Sequence, residues 1–220
     1  MQHQLEALAD PAAVARAGAA FVAERARQAV AASGQFHFAV SGGHTPWAMF
    51  AELASETVPW DGTVVYQVDE RVAPPDDPDR NLHHLLDALG SAPARVVPMP
   101  VNDEDLEAAA ARYAGSLPAH FDLVHLGLGP DGHTASLVPD DPVLAVEDRL
   151  VALTRPYQDR VRMTLTYPGL ARARQILWLV TGEDKKGPLS RLLAGDTGIP
   201  AGRVEADASL VMADAAAAGA

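Results

Sequence analysis

The sequence predicts a three-layer, Rossmann-like α/β fold: a mostly parallel sheet with helices on both faces. Three observations carry this. Short apolar segments alternate with segments of helical period along the chain, as in strand–helix–strand units. Those short segments, such as FHFAV and RQILWLV, are apolar almost throughout, which suits strands covered on both faces. Finally, 220 residues with 48% hydrophobic side chains are enough for one sizeable core. No internal repeat or linker divides them, so residues 1–220 are expected to form a single domain.

The elements follow in order. Residues 11–32 open with Asp10 as a helix cap and Pro11 at the first helical position. Val14, Ala17, Phe21, Val22 and Val30 give an apolar stripe, and Ser33-Gly34 ends the helix. FHFAV (36–40) is the first predicted strand, and a helix runs from Pro46 to about Ser55. TVVYQV (63–68) is a strand ending in Asp69-Glu70-Arg71. The loop VAPPDDPDR (72–80) follows, then a helix over 81–89 and a weak strand at 95–99. Residues 103–117 read as a helix with acids in its first turn, where they complement the helix dipole. FDLVHLGLG (121–129) is a strand entering a glycine-rich turn, and strand candidates follow at 149–153 and 160–166. RQILWLVTG (174–182) is a buried strand. EDKKGPLSRLLAG (183–195) is a helix with an irregularity expected at Gly187-Pro188. The tail adds a final strand and short helix, with the alanine-rich stretch from about residue 213 a candidate for disorder.

Charge and composition exclude several functions. With 17 basic against 29 acidic side chains the net charge is −12. That makes a poor general polyanion binder and argues against nucleic acid and anionic membrane as partners. A small anion remains a candidate ligand, held by a few placed cations and backbone N–H groups. The absence of cysteine removes disulfides, thiolate metal sites and cysteine nucleophiles. The opening MQHQLEALAD has no apolar core of a signal peptide, and no apolar run reaches membrane-spanning length. A cytoplasmic protein is expected. Lys185 and Lys186 are the only lysines in an otherwise arginine-based chain, which singles them out.

Three predicted strands end in unusual polar loops: SGGHTP after 36–40, DER after 63–68 and GPDGHTAS after 121–129. Ligands of open α/β sheets bind outside the carboxyl ends of strands, so these loops are expected to converge on one site. In SGGHTP, two glycines before a helix start form an anion cradle, or else a plain strand-to-helix turn. Arg71 beside Asp69 is either a structural ion pair or a guanidinium aimed at a phosphate or carboxylate. His133, in a tight glycine turn at a strand end, is the histidine best placed to project into a cleft as a general base. It has no partner at zinc spacing, and no metal or cofactor is expected.

SGGHTP, VDERVAPPDDPDRN, FDLVHLGLGPDGHTASL, RMTLT and LVTGEDKKGPL together resemble the 6-phosphogluconolactonases, in order and spacing, over about residues 36–195. The related glucosamine-6-phosphate deaminases are expected to show DEY and DGHIAFNEP. Here Arg71 stands at the tyrosine, and Ala135-Ser136-Leu137 replaces the Ala-Phe-Asn stretch. The resemblance implies hydrolysis of 6-phospho-D-glucono-1,5-lactone to 6-phosphogluconate in the oxidative pentose phosphate pathway. It assigns His133 as general base beside Asp131, Asp69 as a supporting polar residue, and Arg71 and Lys185 as phosphate ligands. Ser41, Gly42, Gly43, Thr45 and Asn81 would line the sugar phosphate. Two positions depart from the pattern. His44 stands where serine or threonine is usual, and Arg80 replaces serine before Asn81, with an altered rim expected. The implied partner is a small sugar-phosphate lactone, bound by a monomer or homodimer. An amino-sugar-phosphate deaminase, a sugar-phosphate sensor and a nucleotide binder are the alternatives; the first strand lacks the GxGxxG that the last would need.

Overall fold

The computed structural model describes residues 2–219. After strand β1 (Gln4–Leu8), helix α1 (Pro11–Ser33) leads to β2 (Phe36–Val40), α2 (His44–Leu53) and β3 (Thr63–Gln67). The chain then forms β4 (Asp69–Arg71), α3 (Asn81–Leu89), β5 (Arg95–Val97), α4 (Leu106–Ser116) and β6 (Leu123–Leu126). β7 (Val151–Leu153), β8 (Arg162–Leu165), α5 (Tyr167–Leu170), β9 (Gln175–Val180), α6 (Lys186–Leu193), β10 (Ala208–Asp214) and α7 (Ala215–Ala218) complete it.

Seven strands form one sheet in the order β1-β10-β9-β6-β2-β3-β5, and every neighbouring pair is parallel. The chain runs outward from β2 through β3 to β5, then returns to place β6 on the other side of β2. The strand order therefore reverses between β2 and β6, the place where open α/β sheets leave a crevice. Two apolar cores cover the two faces. One packs α1, α2 and α3 against Phe36, Phe38, Leu123 and Leu177. The other packs α4 and α6 against Val124, Leu126, Ile176 and Trp178. Trp178 is fully buried and donates from Nε1 to Ser209 Oγ at 3.1 Å; truncating such a side chain typically costs about 3–5 kcal/mol. The three-layer arrangement is the one the alternating pattern predicts.

The helix caps are largely where the sequence puts them. Asp10 accepts from Ala13 N at 2.7 Å and Gly34 ends α1 with φ 81°. Several boundaries differ. α4 starts at Leu106, because Asp105 caps it by accepting from Ala108 N, so the acids at 103–105 precede the helix. The irregularity near 183–195 lies at Lys185, where the 3-10 turn Glu183–Lys185 passes into α6, rather than at Gly187-Pro188. β1 has no counterpart in the sequence reading: its residues are mostly exposed, and backbone pairing with β10 makes it a strand. The stretch from about residue 213, a candidate for disorder, lies within defined elements as far as residue 218. Ala213 sits buried in β10, Asp214 caps α7 through Ala217 N at 2.8 Å, and Ala217 is buried.

A second, antiparallel sheet in the order β4-β8-β7 takes the strand candidates at 149–153 and 160–166. Val68 is the hinge between sheets: its N–H donates to Val40 O and its carbonyl accepts from Leu165 N. Asp69 then pairs with Thr164, and Arg71 with Arg162. What reads as the polar end of one strand is thus a separate strand turned onto a second sheet. Among the described residues, no helix is long and apolar enough to cross a membrane.

Candidate active site

The carboxyl ends of β2, β6 and β9 and the small sheet surround one cleft of about 420 Å³. Ser41, Gly42, Gly43, Thr45, Asp69, Arg71, Asn81, His133 and Lys185 all line it. Asp131 is outside the lining, behind the imidazole. Lys186 is exposed and lies outside the lining too.

The turn after β6 holds His133 by backbone and by shape. Gly129 N donates to His133 O at 2.8 Å, and Gly132 N to Gly129 O at 3.0 Å. A Cβ on Gly129 would fall 2.1 Å from His133 Nδ1, so glycine is required for the ring to fold back over its own turn. The imidazole Nδ1 lies 2.5 Å from Asp131 Oδ1. Burial pushes the Asp131 carboxyl up, but the His133 N–H and imidazole outweigh it and hold the group below the usual carboxylate range. Asp131 is therefore an acceptor at neutral pH, Nδ1 carries the proton, and Nε2 is left as the basic nitrogen. The ring is partly exposed and meets Tyr157 edge-on at 5.7 Å.

The small sheet walls the cleft with Arg71, and Lys185 enters from the turn after β9. Arg71 Nη1 donates to Asp79 O at 2.6 Å and to Asn81 Oδ1 at 2.8 Å. Asn81 Nδ2 in turn donates to Asp69 O at 3.0 Å. Gly42 approaches the same amide so closely that a Cβ would sit 2.0 Å from Asn81 Oδ1. Lys185 Nζ pairs with Asp184 at 2.7 Å and its side chain is mostly buried. Thr45 Oγ1 meets Thr181 Oγ1 at 3.0 Å, tying the β2 loop to the end of β9. Ser41 Oγ is buried without a protein partner among the described residues. Gly43 precedes α2 with no side-chain cap, so the first N–H groups of that helix face the cleft loop unpaired by a side chain. Asp69 accepts from Ser136 Oγ at 2.7 Å; burial pushes its carboxyl up, opposed by Ser136, Arg162 and Arg71.

Three residues are given no role by the sequence, although Glu70 lies in DER and Arg162 in RMTLT. Arg162, buried on β8, lines the cleft beside Arg71 and donates from Nη2 to Gln158 Oε1 at 2.8 Å. Desolvation lowers its pKa, while Asp69 opposes that. A lone arginine opening an otherwise buried strand is the signal that could have found it. Tyr157 joins the two walls, under the Arg162 guanidinium at 5.0 Å and against His133. Glu70, fully buried, accepts from Arg71 N, Asn81 N, Leu82 N and Gln67 Nε2, so it caps α3 and braces the cation wall. Arg80 corrects an expectation. It is buried, 3.4 Å from Glu70 and bonded to Asn102 Oδ1, and it does not reach the rim of the cleft. His44 does line it. No cluster of three or more metal-ligating side chains occurs among the described residues.

Residues 9–212 match the family described as glucosamine-6-phosphate isomerases/6-phosphogluconolactonase. The chain belongs to that family. Among its relatives, the 6-phosphogluconolactonase of Synechocystis is 38% identical over 188 residues, covering 79% of this chain and 78% of that protein. The crystal structure of the Thermotoga maritima 6-phosphogluconolactonase superposes with a TM-score of 0.87 at 26% identity, over 97% of this chain and all of the other. A monomeric glucosamine-6-phosphate deaminase superposes with the same TM-score at 18% identity, over 100% of this chain and 99% of the other. The fold of the isomerase/lactonase family is thus shared by proteins named for both chemistries.

Proposed function

We propose that the chain hydrolyses 6-phospho-D-glucono-1,5-lactone to 6-phosphogluconate. The observation that carries this is the shared cleft: a carboxylate-oriented imidazole faces guanidinium and ammonium groups across a space of about 420 Å³. The name of the 38%-identical Synechocystis relative supports the choice of lactone.

His133 is the general base. Nε2 takes a proton from water as the water oxygen bonds to the lactone C1, and Asp131 stabilises the imidazolium through Nδ1–H. The tetrahedral intermediate collapses by breaking the bond from C1 to the ring oxygen, which receives the proton back from Nε2. A lactone is an activated ester, so no covalent intermediate on the protein is needed. Arg71 and Lys185 hold the phosphate, with Arg162 as a third cation beside them. Ser41 Oγ, Thr45, Gly42 and Gly43 bond ligand oxygens at the start of α2, where the helix dipole favours an anion. Asn81 sets the Arg71 fork, and Asp69 serves as the buried partner of Ser136. Holding the phosphate remote from C1 turns binding energy into orientation.

The chain acts as one domain, a monomer or homodimer in the cytoplasm, in the oxidative pentose phosphate pathway. The test is acid release from freshly prepared lactone above the spontaneous rate. Ammonia release from glucosamine 6-phosphate, without lactone turnover, would instead identify a deaminase.

A further inference from the structure

The β7–β8 hairpin overhangs the cleft on a strained tip. Tyr157 N donates to Arg160 O at 2.9 Å and Arg160 N to Tyr157 O at 3.3 Å, enclosing Gln158 at φ 51° and Asp159 at φ 61°. Two positive φ values fit a tight hairpin turn that favours Asn and Gly. With a side chain at both positions, the conformation depends on what the tip touches.

Two of its attachments lie within the site: Tyr157 against His133, and Gln158 against Arg162. The third lies outside the cleft lining and joins the hairpin to the 72–80 loop. Arg160 Nη2 pairs with Asp77 Oδ2 at 2.8 Å, with Asp79 Oδ2 at 3.7 Å. Asp77 organises the 72–80 loop: its Oδ1 accepts from Asp79 N at 2.9 Å, and its carbonyl accepts from Arg80 N. The Asp79 carbonyl is the acceptor that holds Arg71 Nη1. A continuous path therefore runs from the hairpin tip through Arg160, Asp77 and Asp79 to the guanidinium that faces the cleft.

We propose that the Arg160–Asp77 ion pair is a clasp between the hairpin tip and the 72–80 loop, and that Arg160 is a positioning residue that sets Arg71 for the phosphate end of the substrate. This rests on the reading of Arg71 as an anion ligand. Neither clasp residue lines the cleft, so the effect passes through the loop. The pair is partly exposed, and pairs of this kind shift equilibria by a factor of about five at most.

The experiment compares the parent with Arg160→Ala, Arg160→Lys and Asp77→Asn, the last keeping the turn acceptor while removing the charge. The substrates are the phosphorylated lactone and unphosphorylated glucono-1,5-lactone. We expect KM for the phosphorylated lactone to rise by about two- to fivefold in Arg160→Ala and Asp77→Asn, with kcat within about twofold. Arg160→Lys should restore most of the loss, and KM for the plain lactone should stay at the parent value. A KM change below twofold, or equal losses on both lactones, overturns the clasp and leaves a merely structural pair. Should the parent turn over neither lactone, the functional reading fails. The clasp is then judged by inorganic phosphate affinity: about two- to fivefold weakening in both charge-removing variants supports it, while a change below about twofold, or no phosphate binding by the parent, overturns it.

Discussion

The seven-stranded parallel sheet and the three-stranded antiparallel sheet face each other across one cleft, and they furnish it differently. The parallel sheet contributes from its loops: His133 after β6, Lys185 after β9, and the Ser41–Thr45 turn after β2. The small sheet contributes from the strands themselves, with Asp69, Arg71 and Arg162 in the β4–β8 ladder. A loop at a strand end can aim backbone N–H groups and a titrating ring at a ligand. A paired strand holds long cationic side chains in a fixed direction. The comparison teaches that the imidazole is carried by a loop alone, whereas cations reach the cleft from both kinds of backbone, Arg71 and Arg162 from strands and Lys185 from a turn.

The largest expected effect tests the loop side. His133→Asn should lower kcat by roughly 10²–10⁴-fold with an unchanged melting temperature. Steady-state kinetics and thermal melts check this; parent-like turnover would remove the base from the loops altogether. Next is the brace of the strand side. Glu70→Ala strands the buried Arg80 and uncaps α3, and losing one partner of a buried pair costs about 3–5 kcal/mol. Urea unfolding should show that loss, and a near-neutral result would mean the small sheet does not depend on Glu70. Third, Arg71→Ala and Lys185→Ala should each raise KM by roughly 10–100-fold, since hydrogen bonds to charged groups contribute about 1.5–3 kcal/mol, while kcat changes little. If Lys185→Ala alone were silent, anchoring would belong entirely to the strands.

The smallest effect concerns the parallel sheet's own weakness. His125, fully buried on β6 with neither ring nitrogen bonded among the described residues, has its pKa pushed down to about 3 by desolvation. Because the folded state resists protonation there, unfolding takes up a proton as pH falls from near 6.5 toward 3, and stability declines across that window. At pH 5 the loss from this one group is about 2 kcal/mol. His125→Leu should flatten the acid side of the stability profile in pH-dependent urea melts; an unchanged slope would show that another group governs it.

Much of the site was readable because each strand-end loop carries its own local signature. Gly127, Gly129 and Gly132 lead into His133, and a proline at the start of α2 follows Gly42-Gly43. Asp69-Glu70-Arg71 ends an apolar run. Arg162 was not readable in the same way: its neighbours in sequence are ordinary strand residues, and only pairing with Arg71 brings it to the cleft. Glu70 read as one acid among three polar residues, whereas burial at the start of α3 makes it a brace. Arg80 was expected to alter the rim, since arginine is usually exposed, and Glu70 and Asn102 draw it inside.

By itself the sequence determined the layered α/β class, the order of most elements and the glycine turns, because periodicity, caps and φ preferences act within a few residues. It also determined the kinds of groups available: one well-placed imidazole, few lysines, no thiol. Only the tertiary structure decided that β1 joins the sheet edge, that the chain changes sheets at Val68, and that Arg162, Tyr157 and Arg160 meet the loops of distant strands. Those outcomes depend on backbone pairing and desolvation between segments far apart in the chain, where local propensity has no say.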